Sequence, residues 1–158
     1  MKEFSGSLDG KGLRVALAIS RYNDFITDRL KAGALDGLQD HGVATDDISI
    51  FTCPGALELP ALVQYLVSKG VAGRHFDAII AIGCVIRGDT DHYTHVATEA
   101  VRGVCEISRK HQAALGNAIL TVENIEQATE RSGEKSMNKG YESAAVAIEM
   151  ANLFRSLQ

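Results

Sequence analysis

Ala78-Ile79-Ile80-Ala81-Ile82 is wholly apolar and mostly β-branched, and it leads into Gly83-Cys84-Val85-Ile86-Arg87-Gly88-Asp89-Thr90-Asp91-His92-Tyr93, where glycine, charge and an imidazole break the run. An apolar run without alternating polarity reads as a strand buried on both faces, as in a parallel sheet covered by helices. Ligands bind such sheets at the carboxyl ends of the strands, so the residues after Ile86 lie where chemistry is usually done. Gly88, Asp89 and Thr90 can open a helix whose amides face an anion, with His92 at its start.

Outward from this run, strands and helices alternate. Residues 13–19 predict a first strand, and Ile26, Leu30, Ala34, Leu35 and Leu38 then recur at helical spacing until Gly42 supplies a stop. Residues 48–51 and a helix carrying Leu59, Leu62, Val63, Leu66 and Val67 form a second unit, closed by Gly70. The third unit begins at Ala78, and its helix buries Tyr93, Val96, Ala100, Val101, Val104 and Ile107. Residues 119–122 predict a fourth strand, followed by a short helix over 125–131 and a longer one over 141–154. The expected fold is α/β, a three-layer αβα sandwich around a four-stranded parallel sheet with right-handed crossovers. Phe4-Ser5-Gly6-Ser7-Leu8 does not fit this rhythm. It either pairs with the sheet edge of another chain or frays as a terminus.

Composition narrows the function. The 158 residues are 46% hydrophobic and 23% charged, which suits one domain over residues 1–158, with 1–12 as an arm holding a short strand. A net charge of −4 argues against a general binder of nucleic acid or membrane surfaces, while a local basic pocket for a small anion stays open. No apolar run reaches membrane-span length and the first residues lack a signal-peptide core, so a cytoplasmic protein is expected. Cys53, Cys84 and Cys105 are odd in number and unequally spaced, which reads as buried thiols instead of a disulfide framework or zinc ribbon.

The four expected strand ends carry the unusual polar residues: 20–24, 53–58, 88–92 and 123–124. A purely structural sheet has no reason to gather them on one edge. The third loop has the glycine spacing of a Walker loop, but Asp89 stands at the lysine position and would repel a triphosphate. No G-x-G-x-x-G follows the first strand, which counts against a dinucleotide site. A single phosphate still fits, held by the Thr90 hydroxyl, loop amides and one arginine. Asp89, Asp91, His92 and His95 invite a metal reading, although catalytic zinc asks for three ligands with supporting partners. His92 is a candidate for general acid–base work or a helix cap. Tyr22 suits stacking on a flat ring, or packing on the surface. Glu58 suits polyol hydroxyls, or a helix dipole. A Cys53–His92 hydrolase is the weaker idea, because Pro54 removes an amide that an oxyanion hole would need.

Five stretches in order carry a resemblance: residues 20–26, 54–60, 83–93, 121–128 and Asn138-Lys139-Gly140. Together they resemble the 6,7-dimethyl-8-ribityllumazine synthase family from about residue 13 to 153. The resemblance implies a flavodoxin-like fold and a transferase of riboflavin biosynthesis. That family condenses 5-amino-6-(D-ribitylamino)uracil with 3,4-dihydroxy-2-butanone 4-phosphate, releasing phosphate and water, with no cofactor and no metal. It further implies that Tyr22 stacks on the pyrimidine, that Ala56 and Glu58 hold the ribityl chain with help from Asn23, and that Leu57, Cys84, Val85 and Ile86 complete the substrate pocket. Asp89, mainly through its backbone, and Thr90 would meet the phosphate with Arg131. His92 would move protons, and Lys139, with Lys135, would add positive charge. Asn117 stands where many relatives carry a phenylalanine that closes over the ring from an adjacent subunit, and Met137 where glycine is common. The implied assembly is a homopentamer whose arms add to neighbouring sheets, with a sixty-subunit shell of twelve pentamers as its larger form. A non-catalytic flavin or lumazine carrier, or a container, on the same scaffold is the alternative of another class.

Overall fold

In the computed structural model, which describes residues 1–158, the apolar run at residue 78 lies at the heart of a sheet. Strands β1 (Val15–Ser20), β2 (Ile48–Cys53), β3 (Ala78–Ile86) and β4 (Ala114–Val122) are all parallel, in the order β2-β1-β3-β4. The two central strands, β1 and β3, are buried along almost their whole length, which their unbroken apolar runs require. Alternate residues feed two cores. Val15, Leu17 and Ile19 pack with helices α1 (Asp24–Asp40) and α5 (Lys139–Ser156), whereas Ala16 and Ala18 pack with α2 (Leu59–Lys69) and α3 (His92–His111). The chain steps from β1 to β2 in one direction and from β2 over β1 to β3 in the other. Right-handed crossovers must therefore put α1 opposite α2 and α3, as found. A short α4 (Ile125–Arg131) follows β4. No helix is long and apolar enough to cross a membrane.

Two strands are longer than their apolar runs. β3 continues past Ile82 to Ile86, paired with β4. Gly83 lies inside it because a Cβ there would come 3.0 Å from Leu59 Cδ1 and 3.2 Å from Ser20 Oγ. β4 begins at Ala114, ahead of the expected start at residue 119. Gly116 interrupts its pattern because α5 crosses so closely that a Cβ would strike the Ser143 carbonyl. Asn117 and Thr121 interrupt it because the edge strand is only partly covered on the α2–α3 side, where Leu115 and Ile119 pack but these two are exposed.

Residues 1–10 form no strand within the chain, so the expected short strand of the arm is not made here. Asn152 Nδ2 instead ties the arm to α5, donating to the Ser7 and Asp9 carbonyls, each at 2.9 Å. Phe4 and Leu8 remain exposed.

The turn between α4 and α5 is organised by one buried side chain. Asn138 Oδ1 caps α5 by accepting from the Gly140 and Tyr141 amides, while Nδ2 donates to the carbonyls of Ser132, Gly133 and Arg29. Lys135 then reaches the far end of α1, 2.6 Å from Asp40, which also accepts from the Tyr141 hydroxyl at 3.0 Å. These bonds, Lys135 first, hold the Asp40 carboxyl below its ordinary pKa. The stabilisation from that carboxylate is present above its unfolded-state pKa and is lost as pH falls through the lower folded value. Replacing Asn138 by alanine strips the cap and takes a donor from three carbonyls, the buried one of Ser132 among them. We expect Asn138→Ala to lower unfolding free energy in a urea titration by about 2–4 kcal/mol; a loss under about 0.5 kcal/mol would show that water substitutes for the side chain.

Candidate active site

β3 pairs with β1 only as far as Ile19↔Ile82, whereas its pairing with β4 continues to Ile86↔Val122. The strand order also reverses between β1 and β3, the position where open α/β sheets bind ligands. A cavity of about 360 Å³ fills this step. Tyr22 and Asn23 enter it from the β1–α1 connection, and Gly55, Ala56, Leu57 and Glu58 from the turn after β2. Cys84, Val85 and Ile86 form its floor on β3, and Gly88, Thr90, His92, Tyr93 and Val96 close it from the loop and first turns of α3.

Each connection has a local cause. The amides of Arg21 and Tyr22 bond to the carbonyls of Cys53 and Pro54, at 2.9 and 3.2 Å, so the β1–β2 ladder runs on into the loops. Asn23 then turns into the left-handed region, φ 62°, where asparagine is one of the few tolerated side chains. Its carbonyl starts α1, and its Nδ2 donates to the Cys84 carbonyl at 2.9 Å, beyond the last β1–β3 pair. Tyr22 is thereby left projecting, 72% exposed. After β2, residues 56–58 make a single 3₁₀ turn before Pro60 stiffens the start of α2. At α3, the Thr90 hydroxyl accepts from the His92 amide at 3.3 Å.

The description 6,7-dimethyl-8-ribityllumazine synthase belongs to the family model that matches residues 12–155. Over 157 residues, covering 99% of this chain and 94% of the relative, the sequence is 43% identical to the 6,7-dimethyl-8-ribityllumazine synthase of Anaeromyxobacter dehalogenans strain 2CP-C. It is 42% identical over the same span to the protein so named in Anaeromyxobacter sp. strain K. The chain belongs to the 6,7-dimethyl-8-ribityllumazine synthase family.

Of the residues expected from the resemblance to this family, Tyr22, Asn23, Ala56, Leu57, Glu58, Cys84, Val85, Ile86, Thr90 and His92 meet in the cavity. Asp89 lies in the exposed loop between the lining residues Gly88 and Thr90. Three others do not reach the chain's own cavity. Asn117 is exposed midway along β4, its Oδ1 accepting from the Ile119 amide. Arg131 ends α4, bonded to the Gln127 carbonyl and 3.5 Å from Glu130. Lys139 opens α5 and pairs with Glu142. Lys135, expected to add charge near the site, is committed to Asp40 instead. Gly55 and Gly88, which fall within the strand-end clusters, line the cavity too, as do Tyr93 and Val96, which periodicity assigns to the packed face of α3. For Tyr93 and Val96 the only sign was their place at the strand-end tip of the apolar stripe of α3.

Electrostatically the cavity is unbalanced. Glu58 is its one carboxylate, His92 is its only side chain able to carry positive charge, and no lysine or arginine lines it. Asp89, Asp91, His92 and His95 do not gather into a metal-ligand set. The thiols point away from nucleophilic chemistry. Cys53 lies outside the lining, donates to the Gly55 carbonyl at 3.4 Å, and has its pKa raised by burial and by the Glu58 charge. Burial pushes the Cys84 thiol up to about 11. At neutral pH Cys84 is therefore a thiol, and its alkylation by iodoacetamide, followed by peptide mass mapping, should be about 100-fold slower than that of a free cysteine. The rate should keep rising beyond pH 9; rapid modification at pH 7.5 would contradict this environment.

Proposed function

We propose that the cavity at the β1–β3 step condenses 5-amino-6-(D-ribitylamino)uracil with 3,4-dihydroxy-2-butanone 4-phosphate, releasing phosphate and water. The convergence of Tyr22, Glu58, Thr90 and His92 in one cavity carries this reading. Tyr22, projecting over an apolar floor of Val85 and Ile86, supports stacking of the pyrimidine. Glu58 accepts from ribityl hydroxyls beside Ala56 and Leu57, with Asn23 bounding the same wall.

The phosphate belongs at the start of α3. There the Thr90 hydroxyl, the Asp89 backbone and the helix dipole favour an anion, and the long bond from the His92 amide to Thr90 is readily exchanged for one to a phosphate oxygen. His92 moves protons as the amine attacks the ketone, the imine forms and phosphate leaves. Holding two reactive partners face to face supplies much of the acceleration.

A dianionic phosphate needs a cation that this cavity lacks, and Arg131 and Lys139 carry charge outside its lining. This supports a site completed by a second copy, with Arg131, Lys139 and Asn117 contributed across an interface. A homopentamer fits that need, with the exposed Phe4 and Leu8 of the arm laid on the open edge of a neighbour's β2. Closure of twelve pentamers into a sixty-subunit shell is the larger form of the same contacts. Three unpaired cysteines support a reducing compartment, the cytoplasm.

The test is to mix protein with both substrates and follow the lumazine product by absorbance and fluorescence against an enzyme-free control. His92→Ala should slow turnover by about 10²-fold while leaving measurable activity, and Arg131→Ala should chiefly raise KM for the phosphorylated substrate. Absence of acceleration by the unmodified protein, with the ribityl substrate still bound, would indicate a carrier.

A further inference from the structure

The arginine of the β3–α3 loop is not in the cavity. Arg87 follows the last residue of β3, and its amide donates to the Val122 carbonyl at 2.9 Å, adding one rung to the β3–β4 ladder. Its Nε donates to Glu123 Oε2 at 2.7 Å. Its guanidinium carbon lies 4.4 Å from the centroid of the Tyr93 ring. Glu123 is itself held in place, its amide donating to Gln127 Oε1 at 2.9 Å at the capped start of α4.

We propose that Arg87 is a positioning residue: clamped between Glu123 and the Tyr93 ring, it fixes the first turn of α3 and therefore the placement of His92 and Thr90 against the reacting atoms. This rests on the synthase reading of the same cavity. Tyr93 is half-buried and forms part of the cavity wall immediately beside His92, while residues 87–92 are exposed and have few other restraints. A single exposed ion pair holds little. Three restraints on one residue, from backbone, carboxylate and aromatic face, fix it in space. Only a planar guanidinium can pair edge-on with a carboxylate while laying its face on a ring, so lysine is a poor replacement. With its charge matched by Glu123, Arg87 is not the phosphate ligand that its loop position suggests.

The roles separate kinetically. Arg87→Met should reduce kcat about tenfold, since small misplacements of reacting groups are costly, with KM for the phosphorylated substrate unchanged within about twofold. Arg87→Lys should not restore it. Glu123→Gln should lower kcat in the same sense, and the double variant should be no worse than Arg87→Met alone. A tenfold rise in that KM at unchanged kcat would mark Arg87 as a phosphate ligand and overturn the proposal, as would wild-type kinetics in Arg87→Met. Fluorotyrosine NMR gives a readout independent of turnover: the Tyr93 resonance should shift in both Arg87→Met and Glu123→Gln, and an unmoved resonance would overturn the proposal. If the unmodified protein does not accelerate the condensation, the synthase reading fails by itself, while the resonance still reports on the clamp. Should Arg87→Met not fold, Glu123→Gln carries both measurements.

Discussion

The site depends on one difference in length within the sheet. β1 stops pairing with β3 at Ile82, while β4 follows β3 to Ile86. Were β1 as long as β4, its backbone would fill the space now occupied by the cavity, and Tyr22 would be a strand residue instead of a projecting ring. The step also exposes peptide groups on the β1 side of β3, and buried peptide groups require partners. Asn23 answers part of that need by donating to the Cys84 carbonyl from a left-handed backbone. The same side chain thus seals the top of the sheet and turns the chain so that Tyr22 stands over the opening.

The same geometry explains what one chain lacks. The β1–β3 step is apolar at its floor and carries one carboxylate, so a phosphorylated substrate bound as proposed would gain only partial compensation there from the Thr90 hydroxyl and the start of α3. A helix terminus contributes about half a unit charge, short of a phosphate dianion. The cations that would match it, Arg131 and Lys139, stand at the end of α4 and the start of α5, outside the cavity. In the proposed ring these two surfaces meet, each copy offering a cavity on one side and charge on the other. The Arg87–Glu123 pair then links the two surfaces within a copy, because Glu123 belongs to the connection leading to α4 and Arg131.

The sheet was legible where burial is two-sided. β1 and β3 announce themselves by apolar runs, and the strand-end polar clusters at 20–24, 53–58 and 88–92 marked the cavity before its walls were known. β4 was legible only in its second half, because Gly116 answers to the close crossing of α5 and Asn117 to an only partly covered edge, and neither reason is visible in a local pattern. Tyr93 and Val96 pack against the α2–α3 core as periodicity predicts; that they also line the cavity is invisible to it, because periodicity identifies a face without showing where along it the neighbouring helix ends. The partner of Lys135 has a tertiary cause that no local pattern shows: Asn138 folds the 132–138 turn back on α1 and brings the lysine to Asp40. The thiols read as buried were found so for Cys53 and Cys84, and only partly for Cys105.

The sharing of one site between two copies is tested most directly by complementation. His92→Ala and Arg131→Ala chains carrying different tags are co-expressed, and mixed assemblies are isolated through both tags. If the cavity of one copy uses the cation of the next, roughly a quarter of the sites in an equal mixture pair an intact cavity with an intact cation. That fraction should show unmodified turnover and an unmodified KM for the phosphorylated substrate. A mixed assembly no more active than the average of the two variants measured alone would mean that each copy works by itself, and would contradict the shared site.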